Sequence, residues 1–375
     1  MMKNLNKISN PHGDDKVFDA CSLFGMMNLK GKRFSSRDPV EAIANMHDRG
    51  NGLGGGFAIY GLYPEYKDYY ALHIMYLDQD AKEKTERFLS KSFDVVFDEE
   101  MPTREAKVHD PPILWRYFVQ PNKLKPKKQS TDDYVAEKVM RINMKTGKAF
   151  VFSSGKDMGV FKGVGFPEDI AEYFCLEEYS GYIWICHGRF PTNTPGWWGG
   201  AHPFSILEWT IIHNGELSSY GANRRYLEMH GYKCTMQTDT EVIAYAFDFL
   251  MRKQGFPIEI VSKILAPPFW SEIDSLDADS EQKRLLAALR QTYGGLLLNG
   301  PFSIIAAHHG EMIGLTDRIK LRPLIAGMKG DFFYLSSEES AIRLVSPTLD
   351  KVWTPRGGEP IVGRLETRSV IEILA

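Results

Sequence analysis

The stretch YIWICHGRFPTNT, residues 182–194, carries the pattern that decides the fold. Its first half is a continuous apolar run, rich in β-branched and aromatic residues, which is typical of a short strand buried on both faces. Its second half is polar and contains Gly, Pro and Asn, which end strands and build loops. AFVFSS, from Ala149, and EWTIIHNG, from Glu208, repeat this pattern on either side. We therefore predict sheets whose strands end in loops that present polar side chains.

The flanking sequence adds further strands and a smaller number of helices. A strand is predicted for CSLFGMM (Cys21–Met27), and amphipathic helices are predicted after Asp38 and over residues 221–230 and 240–253. Residues 64–148 form the least regular third of the chain. Strands with a minority of helices favour stacked sheets flanked by helices, which is an α+β fold.

Composition limits the classes of function. The chain has 375 residues, 45 Lys and Arg against 48 Asp and Glu, and a net charge of −3, so no broad basic surface for nucleic acid is expected. Its four cysteines are widely spaced without a CxxC pair, which argues against a zinc ribbon or a secreted disulfide framework and favours the cytoplasm. The uncharged run of residues 291–310 is interrupted by Asn, Pro, His and Gly, so we predict two buried strands around a turn at Asn299-Gly300-Pro301 and no membrane span.

Three segments place dense polar residues beside apolar strands: CHGRFPTNT from Cys186, HNGEL from His213 and QTDTE from Gln237. The fork of Arg189 suits a substrate carboxylate, and Asp239 suits a substrate ammonium. The Asn214 amide and the Gly215 backbone N–H could hold a developing oxyanion. Together they describe a site for an amino acid undergoing acyl transfer.

Such a site needs a nucleophile, and Cys21 at the start of a strand is the candidate. A thiol must be deprotonated by a nearby base before it attacks. Cleavage between Ala20 and Cys21 would place a new α-amine, with an ordinary pKa of about 7.7–8.0, on the same residue. We therefore predict that residues 1–20 are a removable propeptide.

The ordered segments CSLFGMM, CHGRFPTNT, AHPF, IIHNGEL and QTDTEV resemble the motif series of the class II glutamine amidotransferases, which are N-terminal-nucleophile hydrolases. The form HxRFxTNT, residues 187–194, is similar to the glutaminase domain of glutamate synthase. TDRIKLRPL and YLSSEESA give weaker support. The resemblance implies a four-layer αββα sandwich of two mainly antiparallel sheets, forming one domain over residues 21–375. Residues 64–148 would be a poorly matched insertion in that domain.

Carried over position by position, the resemblance implies roles that agree with those argued from charge and shape. Cys21 matches the nucleophile, and Asn214 with Gly215 matches the oxyanion hole. The glutamine-binding residues are implied to be Arg189, Phe190, Thr192 and Asp239. Two departures stand out: Ser22 follows the cysteine where the family usually has glycine, and twenty residues precede Cys21, whereas many members lose only the initiator methionine.

The implied activity is hydrolysis of glutamine to glutamate and ammonia through a cysteine thioester. No phosphate-binding glycine loop or iron–sulfur cysteine set is visible, so no cofactor is expected on this chain. Ammonia would pass to a separate synthase subunit in a hetero-oligomer. The glutamate-synthase-like motif implies a partner that acts on 2-oxoglutarate or a related acceptor and carries FMN and any iron–sulfur cluster.

Other interpretations remain open at this point. The chain could be a catalytically silent regulatory or scaffold subunit of a synthase, or an ammonia donor for a purine-pathway transferase. Arg189 and Asp239 could form an ordinary ion pair, and Asn214-Gly215 could be only a hairpin turn. A metal site at His187, His202 and His213 has no supporting ligand spacing, so none is predicted. Trp197-Trp198 could be a lid over glutamine or a docking surface for a partner.

Overall fold

The structure is a computed structural model, and it describes residues 20–145, 147–191 and 196–366. The strands, in chain order, are β1 (Ser22–Asn28), β2 (Phe34–Ser35), β3 (Gly55–Tyr60), β4 (Tyr70–Tyr76), β5 (Phe93–Glu100), β6 (Ile113–Pro121), β7 (Ala149–Ser153), β8 (Met158–Gly163), β9 (Ser180–Gly181), β10 (Ile183–Gly188), β11 (Phe204–Ile206), β12 (Trp209–Gly215), β13 (Phe302–His308), β14 (Glu311–Thr316), β15 (Ile325–Lys329), β16 (Phe332–Ser336), β17 (Lys351–Trp353) and β18 (Ile361–Arg364). The helices are α1 (Arg37–Ala44), α2 (Gln79–Ser92), α3 (Thr131–Lys145), α4 (Pro167–Tyr173), α5 (Tyr220–Met229), α6 (Asp239–Phe247), α7 (Ile258–Leu265), α8 (Trp270–Asp274), α9 (Glu281–Thr292) and α10 (Glu339–Val345).

Two antiparallel sheets stack to form the centre of the molecule. The larger has the strand order β17-β15-β16-β1-β10-β3-β8, and the smaller has the order β11-β12-β13-β14-β18. Strands β1 and β10 of the first sheet contact β12 and β13 of the second. The sheets approach so closely that a Cβ atom on Gly25 would lie 2.7 Å from the sulfur of Met312. This packing explains why the central strands are apolar on both sides.

Helices cover the outer faces of both sheets. Helices α1, α4 and α10 pack on the larger sheet, and α6, with α5 beside it, packs on the smaller sheet. Every residue of β1, β3 and β10 is buried, because each of these strands lies between a helical layer and the other sheet. The predicted α+β fold with four αββα layers is therefore confirmed.

The prediction that residues 64–148 form the least regular third of the chain was wrong. Strands β4, β5 and β6 from this region join β7 in a four-stranded antiparallel sheet, ordered β5-β6-β4-β7, and helices α2 and α3 pack on it. This sheet joins the sandwich where β4 and β7 contact β8. Its central strand β4, YALHIMY, is buried along its whole length and so lacks the alternation that marks a half-exposed strand. The interpretation of this region as an insertion stays a prediction.

Of the two strands predicted around Asn299-Gly300-Pro301, the structure has the second and not the first. Strand β13 follows the turn as expected. Before the turn, however, α9 runs to Thr292 and a single 3₁₀ turn occupies Gly294–Leu296. Among the described residues, no helix is long and apolar enough to cross a lipid bilayer.

Candidate active site

One end of the sandwich collects the polar strand ends that the sequence singled out. Ser22 of β1 stands opposite Gly188 of β10 in antiparallel register. Cys21 and Arg189 are the next residues outward from this pair, so the two strands carry them to the same end of the sheet. The backbone N–H of Arg189 donates to the carbonyl of Gly54 at 2.8 Å, which fixes the neighbouring strand beside them.

A cavity of about 290 Å³ opens at this end. Five of the predicted site residues line it: Cys21, Arg189, Phe190, Gly215 and Asp239. Asn214 lies behind Gly215 and is 1% exposed. Thr192 lies outside the described residues. The structure therefore brings together the proposed nucleophile, carboxylate-binding group and ammonium-binding group around one space.

The Cys21 side chain is held at the cavity wall by its surroundings. Its Sγ accepts a hydrogen bond from the backbone N–H of Phe190 at 3.3 Å. Burial raises the pKa of the Cys21 thiol, although the Phe190 amide and the Arg189 charge oppose that rise. The thiol thus needs a base to become nucleophilic. While Ala20 is attached, the nitrogen of Cys21 is an amide and is not such a base.

Arg49 also holds the proposed nucleophile, and no motif in the sequence pointed to it. Its Nε and Nη2 donate to the carbonyl oxygen of Cys21 at 3.2 and 3.1 Å. Its Nη1 is 2.9 Å from a carboxylate oxygen of Glu338. This network fixes the backbone of Cys21. Only the three-dimensional pairing of distant loops reveals it.

The serine at position 22 fits because its neighbour is glycine. Ser22 is 2% exposed, and its hydroxyl donates to the Gly188 carbonyl at 3.4 Å. A Cβ atom on Gly188 would lie 2.4 Å from that hydroxyl oxygen. The departure from the usual family residue is therefore accommodated by the facing strand without displacing Cys21.

Asn214 and Gly215 end strand β12 and do not form a hairpin turn. They pair with Ser303 and Phe302 of β13, and the chain between these two strands runs through several helices. The Asn214 side-chain nitrogen is buried and has no hydrogen-bond partner among the described residues. Gly215 has φ +150°, and a Cβ there would lie 2.0 Å from the Pro301 carbonyl oxygen. A buried amide donor without a partner fits the proposed oxyanion hole.

Arg189 is packed so tightly that its guanidinium has a fixed location. It is 4% exposed. A Cβ on Gly54 would lie 3.0 Å from its Cδ, and one on Gly200 would lie 3.4 Å from its Nη1. Burial lowers the pKa of Arg189, and the nearby Cys21 and Asp239 oppose this. An arginine remains charged under such conditions, so the cavity keeps a cation that suits a carboxylate.

Asp239 supplies the opposite charge from the first turn of α6. Its Oδ2 accepts the Leu217 backbone N–H at 3.1 Å, and its Oδ1 lies 3.5 Å from His213 Nδ1. Burial alone would raise the pKa of Asp239, but His213, the Leu217 amide and Thr240 outweigh it and leave the pKa below its ordinary value. The helix N-terminus adds to this effect. Asp239 is therefore an anion that can receive an ammonium group.

The three histidines near the cavity bond to protein groups. His202 Nε2 and His213 Nδ1 lie 2.6 and 3.2 Å from the Thr240 hydroxyl, and His187 Nε2 lies 3.1 Å from the His213 carbonyl. Burial lowers the pKa of His187 to about 3 and also lowers that of His202. In the part of the chain that the structure describes, no group of three or more His, Cys, Asp or Glu side chains is arranged to hold a metal ion.

Of the tryptophan pair, Trp198 is part of the interior. It is 6% exposed, and its indole N–H donates to the His109 carbonyl at 2.7 Å. Trp197 is partly buried and packs edge-to-face against Phe150, with ring centroids 5.2 Å apart. A docking surface built on both rings is therefore excluded, and Trp197 alone stays a candidate lid.

Comparison with known proteins decides the family. The family model of class II glutamine amidotransferases matches residues 63–372. The chain belongs to this family. The family's substrate is glutamine. The matched residues begin after Cys21, so the role of that cysteine in this amidotransferase rests on the motif series and on the geometry described above.

The amidotransferase has relatives of very different lengths. It is 64% identical to an uncharacterized protein of Archaeoglobus fulgidus, with 94% of each chain covered. It is 27% identical to the amidophosphoribosyltransferase of Methanocaldococcus jannaschii over 52% of this chain and 36% of that one. A solved structure of the glutamine phosphoribosylpyrophosphate amidotransferase of B. subtilis, with ADP and GMP, matches 92% of this chain and 47% of that one, with 16% identity and a TM-score of 0.45. The amidotransferase thus spans less than half of these two enzymes.

Proposed function

We propose that this amidotransferase hydrolyses glutamine to glutamate and ammonia, with Cys21 as the nucleophile. One observation carries the proposal: a cysteine thiol, an arginine and an aspartate line a single cavity, and the Asn214 amide nitrogen buried beside it has no hydrogen-bond partner among the described residues. Glutamine has the matching groups, which are an α-carboxylate for Arg189, an α-ammonium for Asp239 and a side-chain amide that reaches Cys21.

The proposed reaction has two halves. The α-amine of Cys21 removes the thiol proton, and Sγ attacks the side-chain carbonyl carbon of glutamine. The oxyanion is held by Asn214 and Gly215. The protonated amine then gives its proton to the leaving nitrogen, ammonia departs, and a thioester remains. Water attacks the thioester with the amine as base, which releases glutamate and restores the thiol.

This mechanism requires removal of residues 1–20, which we propose as the maturation step. Residues 1–19 lie outside the described part of the chain. The raised pKa of the Cys21 thiol supports the proposal, because it makes a base on the same residue useful. Intact mass of purified active protein tests it: the expected chain begins at Cys21, and fully active protein that retains residues 1–20 would contradict it.

We further propose that ammonia passes to a separate synthase subunit in a hetero-oligomer. The form HxRFxTNT supports a glutamate-synthase-like partner, with FMN and any iron–sulfur cluster on that partner. The similarity to amidophosphoribosyltransferase supports a second candidate, an ammonia donor for a purine-pathway transferase. A subunit that co-purifies and carries flavin favours the first, and one that binds phosphoribosyl pyrophosphate favours the second. The four unpaired cysteines support a cytoplasmic location.

Labelling with 6-diazo-5-oxonorleucine, a glutamine-like electrophile, tests the proposed function against a silent regulatory subunit. An active glutaminase should be modified once, at Cys21, and an excess of glutamine should slow the modification. Peptide mass spectrometry that finds Cys21 unmodified would favour the regulatory subunit. Cys186 is a matched internal control, since it is 0% exposed and burial raises its pKa well above the ordinary value.

A further inference from the structure

Two buried, oppositely charged residues lie beneath the glutamine pocket and take no part in the reaction proposed above. Lys162, on β8, and Glu241, on α6, are each 2% exposed. No carboxylate of the described residues lies within 4.0 Å of the Lys162 ammonium nitrogen. A buried charge without a direct counter-charge is costly, so its retention calls for an explanation.

Lys162 holds the loop that follows Arg189. Its Nζ donates to the carbonyls of Gly199 and Ala201 at 3.1 and 2.8 Å and lies 4.2 Å from the ring centre of Phe204. Between these two carbonyls stands Gly200, whose backbone packs against the Arg189 guanidinium. Lys162 therefore fixes the backbone on which the proposed carboxylate-binding arginine rests.

Glu241 holds the segment that leads into Asp239. Its two carboxylate oxygens accept the backbone N–H groups of Thr235 and Met236, both at 2.9 Å. Tyr245 donates its hydroxyl to the same carboxylate at 3.2 Å. The next residues, Gln237 and Thr238, line the active-site cavity just before Asp239. Glu241 therefore fixes the wall that carries the proposed ammonium-binding group.

A small cavity joins the two side chains. It has a volume of about 20 Å³ and is lined by Lys162 and Glu241, with Phe204 and Met236 among its other walls. A cavity needs roughly 10–15 Å³ of such volume to hold one water molecule, and a water needs two or more polar partners. An ammonium on one side and a carboxylate on the other supply these partners.

We propose that Lys162 and Glu241 act as one water-bridged unit that sets the spacing between the Arg189 wall and the Asp239 wall of the pocket. They are positioning residues, because neither is among the residues that line the active-site cavity. This inference depends on the proposed function in one respect only, which is that glutamine is the ligand whose carboxylate and ammonium groups the two walls bind. The coupling between the two walls stands apart from that function.

The electrostatics of the pair fit a coupled unit. Burial lowers the pKa of Lys162 to about 7 and raises that of Glu241 to about 7, and each residue opposes the shift of the other. Other titratable groups also face the pair. They are Arg189 and His202 beside Lys162, and Tyr220, Cys234 and Tyr245 beside Glu241.

Amide hydrogen exchange on the full-length protein tests the coupling without any ligand. Lys162→Met should speed exchange of the Thr235 and Met236 amides at least tenfold, although the Lys162 ammonium bonds to the carbonyls of Gly199 and Ala201 and the two amides donate to Glu241. Glu241→Gln should likewise speed exchange in residues 199–202. Lys82→Met is the control, because Lys82 is 8% exposed, pairs with Glu86 and lies on α2. It should leave both segments unchanged. If Lys162→Met does not fold, Lys162→Gln takes its place, because the glutamine side chain keeps an N–H donor group without the charge.

Steady-state kinetics gives the second readout. Each single variant should raise KM for glutamine about tenfold with kcat within threefold, and the double variant should raise KM by less than the product of the two factors. The coupling would be overturned if each substitution changed amide exchange only in the wall that the substituted residue contacts. It would also be overturned if the increase in KM of the double variant equalled the product of the two single increases. Exchange that responds on both sides in a protein that does not hydrolyse glutamine would support the coupling and contradict the proposed function.

Discussion

Arg49 donates two hydrogen bonds, at 3.2 and 3.1 Å, to the carbonyl oxygen of Cys21. The proposed nucleophile is thus held through its backbone by a side chain 28 positions away, while its sulfur accepts a hydrogen bond from the Phe190 amide. Hydrogen bonds from a charged donor contribute roughly 1.5–3 kcal/mol each. The position of Sγ relative to the cavity therefore depends on Arg49.

Replacing Arg49 by methionine should lower kcat about tenfold or more and leave KM for glutamine nearly unchanged, because Arg49 bonds to the proposed nucleophile and not to the proposed substrate-binding groups. Steady-state glutamine hydrolysis measures both constants. Arg33→Met is a suitable control, since Arg33 donates to a backbone carbonyl at an exposed site. Equal loss of activity in both variants would contradict the positioning role of Arg49.

Replacing Asp239 by asparagine should raise KM for glutamine by roughly 10- to 100-fold, as expected for the loss of a charge-assisted bond of about 1.5–3 kcal/mol. The lowered pKa of Asp239 adds a pH dependence. The carboxylate stays ionised through the neutral range, so KM should be flat there and rise only as the pH falls below the ordinary carboxyl range. A KM that rises between pH 8 and 6 in the unsubstituted protein, but not in Asp239→Asn, would contradict this assignment. Asp80→Asn, on the exposed face of α2, is the control.

Gly215→Ala should destabilise the protein and abolish glutamine hydrolysis. The new Cβ would lie 2.0 Å from the Pro301 carbonyl oxygen, at a φ of +150°. Gly255→Ala separates the two causes, because Gly255 has φ +70° and nothing within 4 Å of an added Cβ. The control should lose only about 1–2 kcal/mol of unfolding free energy. Urea denaturation measures both variants, and equal losses would show that the clash at Gly215 is relieved.

Buried neutral histidines should make the protein sensitive to acid. Burial lowers the pKa of both His73 and His187 to about 3, against an ordinary value of 6.5. Below pH 6.5 these histidines bind protons in the unfolded chain but not in the folded chain. Their contribution to the free energy of unfolding is therefore fully present above pH 6.5 and is lost as the pH falls towards 3. Each group should contribute up to about 1.4 kcal/mol per pH unit in that window.

Urea denaturation at pH 7, 5.5 and 4.5 measures this loss, and His73→Gln should have a shallower pH slope than the unsubstituted protein by about one proton. His73 is well suited to this test because it lies away from the active site, bonded to the Tyr63 hydroxyl at 2.8 Å and the Val160 carbonyl at 2.9 Å. An identical slope in the variant would show that His73 titrates normally in the folded state.

The sequence could single out the candidate site residues because each lies at an end of a regular element: Cys21 precedes β1, Arg189 follows β10, Asn214 is near the end of β12 and Asp239 begins α6. The pattern located Cys21, Arg189, Asn214 and Asp239, and antiparallel pairing of β1 with β10 brings the first two together. The sequence alone does not show that two strands are neighbours in a sheet when their motifs lie more than 160 positions apart, as those of β1 and β10 do. The resemblance to the family supplied that arrangement, and the structure supplied its distances.

The parts that escaped prediction share a physical cause. Strand β5, FDVVFDEE, is an exposed and acidic edge strand, and β4 is buried without alternation, so neither shows the period of a half-buried strand. Lysine is rarely buried, and only the carbonyls around Lys162 explain its burial. Arg49 acts through a contact between two segments 28 positions apart, which no local pattern encodes.

The most direct test of the account is the release of ammonia from glutamine by purified protein whose chain begins at Cys21, compared with the Cys21→Ala variant prepared in the same way. The account predicts stoichiometric formation of glutamate and ammonia by the unsubstituted protein and none above background by the variant. Equal ammonia release by the two proteins, or none from the unsubstituted protein with Cys21 at its N-terminus, would contradict it.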